Sequence, residues 1–298
     1  MGIVLGIDVG GSTTKIVGLH ETEGRSTCLR EHRELSAYVV GMLQVRAADQ
    51  VTSMYGALGN FLSKHNLKPS DVSKIYLTGV GASFIDEQVH GIETHKVNEF
   101  TSIGRGALSL TELDEALILS MGTGTALVKA KRDLENTVCS PDSLQSNIIV
   151  YHLGGSGVGG GTIMGLASQM LGKSDVDAIL ALAENGDLGN IDLFVSDILK
   201  SKVSSLPFDL TAANFGKMKS TASNSDIALG IINMVFETAG MMAVFALRNE
   251  AIKDVIVTGS LAVFPQAETI FAKFNRITGY NFIIPESAVF ATALGAAL

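Results

Sequence analysis

Cysteine is nearly absent: Cys28 and Cys139 are the only two in 298 residues, and they stand far apart in no metal-like spacing. That excludes a disulfide framework and a cysteine-based zinc site. Basic residues are the minority sign, 22 Lys and Arg against 30 Asp and Glu, and no Lys/Arg block offsets the net charge of −8. A nucleic-acid or anionic-membrane surface needs clustered positive charge, so neither partner is expected. Charged residues reach only 17% while hydrophobic ones reach 46%. That balance excludes a disordered chain and suffices for a packed core. The first residues, MGIVLGIDVGG, lack a basic region and carry an acid at position 8, unlike a signal peptide. The longest apolar run, 227–247, could span a bilayer by length, but Glu237 lies near its middle, and a buried helix is the better reading. A soluble, cytoplasmic protein is the expectation. At about 150 residues per domain, the length fits one large or two medium domains.

What the chain has in excess is glycine, 32 residues, concentrated at 2–11, 79–81, 104–106, 122–124, 154–165 and 259. Glycine is costly in ordered backbone unless the chain must turn with positive φ or approach a ligand closely. Several clusters begin just after apolar runs, which suggests loops at strand ends. Residues 3–9 and 14–19 read as a strand pair around a Gly-Gly-Ser-Thr tip. Residues 49–65 and 98–110 read as helices, with the strand 73–78 between them. The strand 113–120 then meets Gly122-Thr123-Gly124-Thr125 and turns into 126–130, repeating the opening pattern about 110 residues later. Residues 133–147 read as a polar excursion, and 201–207 as a connection. Helical patterns follow at 162–171, 175–185, 189–200, 226–250, 266–278 and 288–297, with strands at 254–258 and 282–284. Strands alternating with helices predict an α/β protein. The boundary between halves is placed near residue 111.

Four segments carry chemistry. In GIDVGGSTTK at 6–15, a strand delivers Asp8 to its end, followed by a turn of open backbone. Such a turn can form a nest for phosphate oxygens, with the Ser12 and Thr13 hydroxyls and Lys15 as further donors. Asp8 is then placed to hold Mg²⁺ through water. An ordinary hairpin with an Asp beside it is the alternative. The second cluster, 120–125, has the same chemistry without the acid, and together the two hairpins can grip a polyphosphate from opposite sides of a cleft. The third has six glycines within 154–161, just ahead of a helix, where open N–H groups favour an anion, unless the segment is a flexible linker. The fourth, Gly259-Ser260, ends a strand where a flat base could lie against the backbone.

Together these segments resemble the actin / sugar-kinase / Hsp70 ATPase superfold, over essentially the whole chain. The implied fold is a two-domain actin-like (ribonuclease H-like) α/β architecture, with a nucleotide cleft between an N-terminal half, 1–110, and a C-terminal half, 111–298. More closely, the sequence resembles the type II pantothenate kinases. The residues that carry this are GIDVGGSTTK at 6–15, NEF at 98–100, GTGT at 122–125, GGSGVGGGTIMGL at 154–166, GDLGNIDL at 186–193, DLTAANFG at 209–216 and TGS at 258–260.

That resemblance implies ATP and Mg²⁺ as cofactors and transfer of the γ-phosphoryl group to the primary hydroxyl of pantothenate, the opening step of coenzyme A synthesis. Glu99 matches the catalytic glutamate, which would accept the hydroxyl proton and aim the oxygen at the γ-phosphate. By its position alone, Glu99 reads more readily as a helix-start carboxylate satisfying the dipole, and the resemblance reverses that order. Nucleotide contacts are expected from Gly10, Gly11, Ser12, Thr13, Lys15, Gly122, Thr123, Gly124, Thr125, Gly159, Gly160, Gly161, Gly259 and Ser260. Substrate contacts are expected from Glu99, Arg105, His152, Gly154 and Gly155. Relatives carry an arginine where this chain has His152, which is shorter and cannot form a bidentate fork. Either another cation substitutes, with Arg105 the candidate, or the substrate differs, or His152 is structural. Asp209 and Asn214 either position loops around the nucleotide or, as Asx side chains near turns, serve as turn or cap residues, the second being the stronger reading. A homodimer through the 226–250 helix is implied by resemblance, with Glu237 needing a partner. A coenzyme A or acyl-CoA feedback ligand is a further partner left open. The alternatives are a kinase of the same superfold acting on a sugar or amino sugar, an ATPase driving a redox partner, and a catalytically lapsed nucleotide-binding regulator.

Overall fold

The structure, a computed structural model, describes residues 2–21, 37–47, 49–85, 88–133, 148–199 and 209–298. The opening apolar run forms β1 (Ile3–Val9), and the small polar residues that follow allow a tight return into β2 (Thr13–His20). β3 (Val39–Arg46), β4 (Val72–Thr78), β5 (Gln88–Val89) and β6 (Ile92–Lys96) complete a six-stranded sheet of order β3-β2-β1-β4-β6-β5. One face buries Leu5, Ile7 and Val9 against Met54, Leu58 and Phe61 of the helix Gln50–Lys64. That helix starts where the Asp49 carboxylate accepts the Thr52 N–H at 2.7 Å. Burying each of these large side chains is worth roughly 1.5–3 kcal/mol.

The second half repeats the plan. β7 (Glu115–Met121), β8 (Thr125–Arg132) and β9 (Ile148–Ser156) form an antiparallel meander. A short pair, β10 (Leu193–Phe194) with β11 (Thr211–Ala213), stands apart. β12 (Asp254–Thr258) and β13 (Asn281–Ile283) join β7 in parallel, giving the order β13-β12-β7-β8-β9. Aligned on β1 and β7, the two sheets share an order of five strands, with two antiparallel pairings on one side and two parallel pairings on the other; β5 is an additional antiparallel edge of the first sheet. The helices Gly160–Leu171, Val176–Ala183, Asn224–Ala246 and Pro265–Thr278 pack on one face of the second sheet.

The two sheets exchange covering helices. Helix Glu99–Ser109 lays Ile103, Ala107 and Leu108 on the second sheet, against Ile118, Val128 and Ile256. The C-terminal helix Ala291–Ala297 lays Ala293, Leu294 and Ala297 on the first sheet, against Val17 and Leu19. The two helices meet without side chains between them. A Cβ on Gly106 would lie 1.7 Å from the Ala291 carbonyl, and one on Gly295 would lie 1.9 Å from that of Ser102. Only glycine fits there, and the crossing ties the halves together.

Among the described residues one helix, Asn224–Ala246, is long and apolar enough to cross a membrane; it packs in the core of the second half, as its buried acid implied. Glu237 has three partners: Thr211 Oγ1 donates to it at 2.9 Å, Asn214 Nδ2 at 3.0 Å and Lys273 Nζ at 3.5 Å. Several elements differ from the sequence reading. The helix expected over 189–200 is a 3₁₀ turn, a two-residue strand and a single helical turn, because Asp192 is buried there as an acceptor for the Phe215 N–H. The segment opening at Gly154 is not wholly a loop, since Gly154, Gly155 and Ser156 end β9. The closing helix begins with a 3₁₀ turn at Ala288–Phe290. The excursion at 134–147 and the connection at 201–207 lie outside the described residues.

Candidate functional site

The first hairpin closes with the Gly10 N–H donating to the Thr13 carbonyl at 3.0 Å, leaving Gly11 and Ser12 exposed at its tip. Asp8, the register partner of Lys15, accepts from its Nζ at 3.2 Å, and both side chains are buried. The second hairpin turns through a Gly122 N–H bond to the Gly124 carbonyl at 2.9 Å. The two tips face each other: the Ser12 and Thr123 hydroxyls lie 3.1 Å apart, and those of Thr13 and Ser260 lie 3.4 Å apart. Gly259 reaches this junction with φ +89, and a Cβ there would lie 2.5 Å from the Met121 carbonyl. That conformation and that space both require glycine.

The glycines ahead of helix Gly160–Leu171 are engaged with the second hairpin. Gly160 donates its N–H to the Gly122 carbonyl at 2.8 Å and Gly161 to that of Thr123 at 2.9 Å. Thr125 Oγ1 donates to the Val158 carbonyl at 2.8 Å. Here these helix-start donors buttress the hairpin tip, where the sequence reading had them open for an anion. Gly159 packs against the backbone of Gly124 and Thr123.

Glu99 opens its helix after Asn98, whose side chain accepts the Thr101 N–H at 3.1 Å. Its carboxyl is raised above the ordinary glutamate range, first by burial and then by the negative charge of Asp8, with Lys15 opposing. Phe100, next along, stacks on His152 with ring centroids 3.7 Å apart and planes 10° apart. His152 is exposed, at a bulge where β9 slips register against Leu127 and Val128. Gly154 (φ +137) and Gly155 lie just past it on the same strand, opposite Leu127 and Ala126.

Arg105 lies six residues after Glu99, about 9 Å along the axis and about 120° around it. It belongs to the partly exposed stripe of Thr101, Arg105 and Ser109, not to the face of Glu99. Its Nε is buried with no partner, and burial lowers the guanidinium from its usual pKa. Asp209 pairs with Arg276, and Asn214 with Glu237, so both hold the 209–214 segment onto the second half. Asp192 was not singled out from sequence, although it lies in the GDLGNIDL motif. Fully buried, it accepts from Phe215 N–H at 2.8 Å and Asn233 Nδ2 at 2.9 Å, and burial raises its carboxyl. Its signal was an acid among Ile191 and Leu193. Arg46, which bridges to Asp175 and Asp177, had no such signal because its partners lie more than 120 residues away.

Among the described residues no cluster of three or more His, Cys, Asp or Glu could cage a metal. Asp8 offers a single carboxylate at the end of β1, beside the hairpin tips. Mg²⁺ characteristically takes one or two carboxylates and completes its shell with water and phosphate, so the donor set fits that ion and not a protein cage.

Two sheets of one plan, joined by crossed helices and meeting at paired glycine hairpins, define an actin-like ATPase fold. Solved structures share it: the activator of 2-hydroxyisocaproyl-CoA dehydratase from Clostridium difficile superposes with a TM-score of 0.62 at 17% identity, covering 99% of this chain and 92% of that one. Component A of the (R)-2-hydroxyglutaryl-CoA dehydratase of Acidaminococcus fermentans gives 0.61 at 18% identity, covering 100% and 96%.

Sequence comparison narrows the class. The family model described as Fumble matches residues 143–270. The type II pantothenate kinase of Staphylococcus saprophyticus is 30% identical over 65% of this chain and 71% of its own length. That of Staphylococcus epidermidis is 26% identical over 98% of both chains. The chain belongs to the type II pantothenate kinase family.

Proposed function

We propose that the chain is a Mg²⁺-ATP-dependent pantothenate kinase that phosphorylates the primary hydroxyl of pantothenate and so opens coenzyme A synthesis. One observation supports the assignment of roles: Glu99 is half-buried at the start of its helix, its carboxyl raised by burial and by the negative charge of Asp8, which pairs with Lys15 next to the first hairpin. A carboxylate shifted toward neutrality is suited to take a proton from an alcohol.

The two hairpins, 10–13 and 122–125, are the phosphate clamp in this reading. Their hydroxyls now satisfy each other across the cleft and would turn to phosphate oxygens. Lys15 neutralises Asp8 in the resting protein and adds positive charge beside the phosphates. Asp8 would hold Mg²⁺, which when bound offsets charge on the transferring phosphoryl group. Gly259 and Ser260 flank the adenosine. Gly159, Gly160 and Gly161 serve it indirectly, by holding the second hairpin. Glu99 accepts the hydroxyl proton, and the substrate extends past Phe100 and His152, along Gly154 and Gly155. Arg105 is the cation assigned to the carboxylate at the far end of that chain-like substrate. The functional halves are 1–110 and 111–298. A homodimer completes the reading by family resemblance, a soluble, cytoplasmic location follows from the composition, and regulation by coenzyme A or an acyl-CoA is left open.

The test is ADP release from Mg-ATP with pantothenate, against no acceptor and a small sugar panel. Pantothenate-dependent turnover is expected. Turnover with a sugar alone moves the substrate, and nucleotide binding without turnover on any acceptor favours a lapsed regulator.

A further inference from the structure

Arg46 ends β3, where its register partner on β2 is Thr13 of the first phosphate hairpin. The next residue strengthens that tie, because the Ala47 N–H donates to the Ser12 carbonyl at 2.9 Å. From this rim the guanidinium crosses to the second half. Its Nη1 donates to Asp175 Oδ1 at 2.7 Å and its Nη2 to Asp177 Oδ2 at 2.8 Å. The receiving end is preorganised. Asp175 caps the helix Val176–Ala183 by accepting the Ala178 N–H at 3.1 Å, and Ile179 and Ala183 of that helix lie in the core of the second half. Hydrogen bonding to Arg46 holds the Asp175 carboxyl below its ordinary range, and the same bond raises the guanidinium.

We infer that Arg46 is a positioning residue, a clasp that closes the two halves over the nucleotide and sets the rate at which product ADP leaves. The inference rests on the nucleotide reading above. It identifies Arg46, Asp175 and Asp177 as a third junction across the cleft, besides Ser12–Thr123 and Thr13–Ser260. The other two are hydroxyl contacts that the nucleotide would displace. The clasp is the charged contact among them, and it spends no group that the phosphates need. Its exposure suits a contact that must open and close, with Arg46 68% exposed and Asp177 81%. Exposed ion pairs are weak and screened by salt, so the clasp opens readily enough for exchange in every cycle.

The test is dissociation of a fluorescent mant-ADP probe from the full chain, chased with ATP, between low and high NaCl. Wild type is expected to release the probe faster as salt rises. Arg46→Ala should release it about threefold faster at low salt, with the salt dependence largely lost, as expected for exposed charge pairs. Asp177→Asn removes one arm while leaving the helix cap intact and should fall between the two; Arg46→Lys should restore part of the retention. Steady-state assays separate this from mere loss of folding, since a clasp variant should raise KM for ATP while kcat is kept or increased where release limits turnover. Release rates and salt slopes equal to wild type in both Arg46→Ala and Asp177→Asn would overturn the clasp while leaving the kinase reading intact. A wild-type chain that does not bind mant-ADP overturns the nucleotide reading and the clasp with it.

Discussion

Ser12 and Thr123 stand 111 residues apart in sequence, at the tips of two hairpins of one design, and their hydroxyls lie 3.1 Å from each other. Each satisfies the other, and in the proposed clamp both would turn to the phosphates. A hydroxyl that donates to an ionised phosphate contributes roughly 1.5–3 kcal/mol, more than a neutral pair at the surface. Thr123→Val should therefore weaken ADP binding about tenfold or more, while the melting temperature changes little. Calorimetric titration decides it: an unchanged affinity would remove Thr123 from the clamp.

Glu99→Gln retains size and helix start and removes the proposed base. Loss of a positioned general base is expected to lower kcat by about 10²–10⁴-fold. Mant-ADP binding should survive, because the groups assigned to the nucleotide lie on the hairpins. A variant retaining most of its turnover would take the base role away from Glu99.

The same residue predicts a pH dependence. Its carboxyl is raised by burial and by Asp8, so the acid limb of kcat/KM should lie above the ordinary range for glutamate. Linkage has a definite sign here. A carboxyl with a higher pKa in the folded than in the unfolded chain binds its proton more tightly when folded, so stability falls as pH rises from the unfolded pKa through the folded one. Glu99→Gln should thus melt higher than wild type at neutral pH, and the gap should shrink at acid pH below the ordinary glutamate value. Thermal melts across that range are the check.

The two glycine hairpins were legible from sequence because both ends of each are local: an apolar run, small polar turn residues, a second apolar run. The helix Asn224–Ala246 was legible for the same reason, and its one central acid announced that a partner had to exist. β3 and β9 were not legible. Each is held by pairing with a distant or interrupted neighbour, and β9 keeps Tyr151, His152 and Leu153 exposed, so no clean alternation marks it. The role of Gly160 and Gly161 was hidden too, because open backbone before a helix looks the same whether its N–H groups meet an anion or the carbonyls of Gly122 and Thr123. The exchange of covering helices rests on Gly106 and Gly295, whose meaning appears only when the other is beside it.

The departure at His152 makes the handling of the substrate carboxylate a separate question. Arg105 carries a buried Nε without a partner, whereas His152 is exposed and stacked on Phe100. Arg105→Ala should raise KM for pantothenate about tenfold or more, as for loss of a charged hydrogen bond. It should leave KM for pantetheine, which lacks the carboxylate, nearly unchanged. His152→Ala should affect both substrates alike, since stacking on Phe100 shapes the entry next to Glu99 and reads no charge. Equal loss for both substrates in Arg105→Ala would show that the guanidinium supports the helix and does not meet the carboxylate.

Glu237 ties three elements together from the middle of an apolar helix. Its two oxygens accept from Thr211, Asn214 and Lys273, which come from β11, the turn that follows it and the helix Pro265–Thr278. Thr211 and Asn214 belong to the segment most specific to the family resemblance, and Asp209, at its start, is tied to Arg276 of the same Pro265–Thr278 helix. Removing one member of a buried ionic network strands the others, at a cost of about 3–5 kcal/mol. Glu237→Ala should therefore move the urea midpoint sharply down with an unchanged slope, the sign of lost stability and not of a changed unfolded state. Glu237→Gln keeps one oxygen acceptor for Thr211 or Asn214 and should cost about 1–3 kcal/mol. If Glu237→Leu proved as stable as wild type, hydrophobic packing would be sufficient at this position and the network's purpose would be to place the 209–216 segment. In that case its loss should appear as a raised KM in an otherwise stable enzyme.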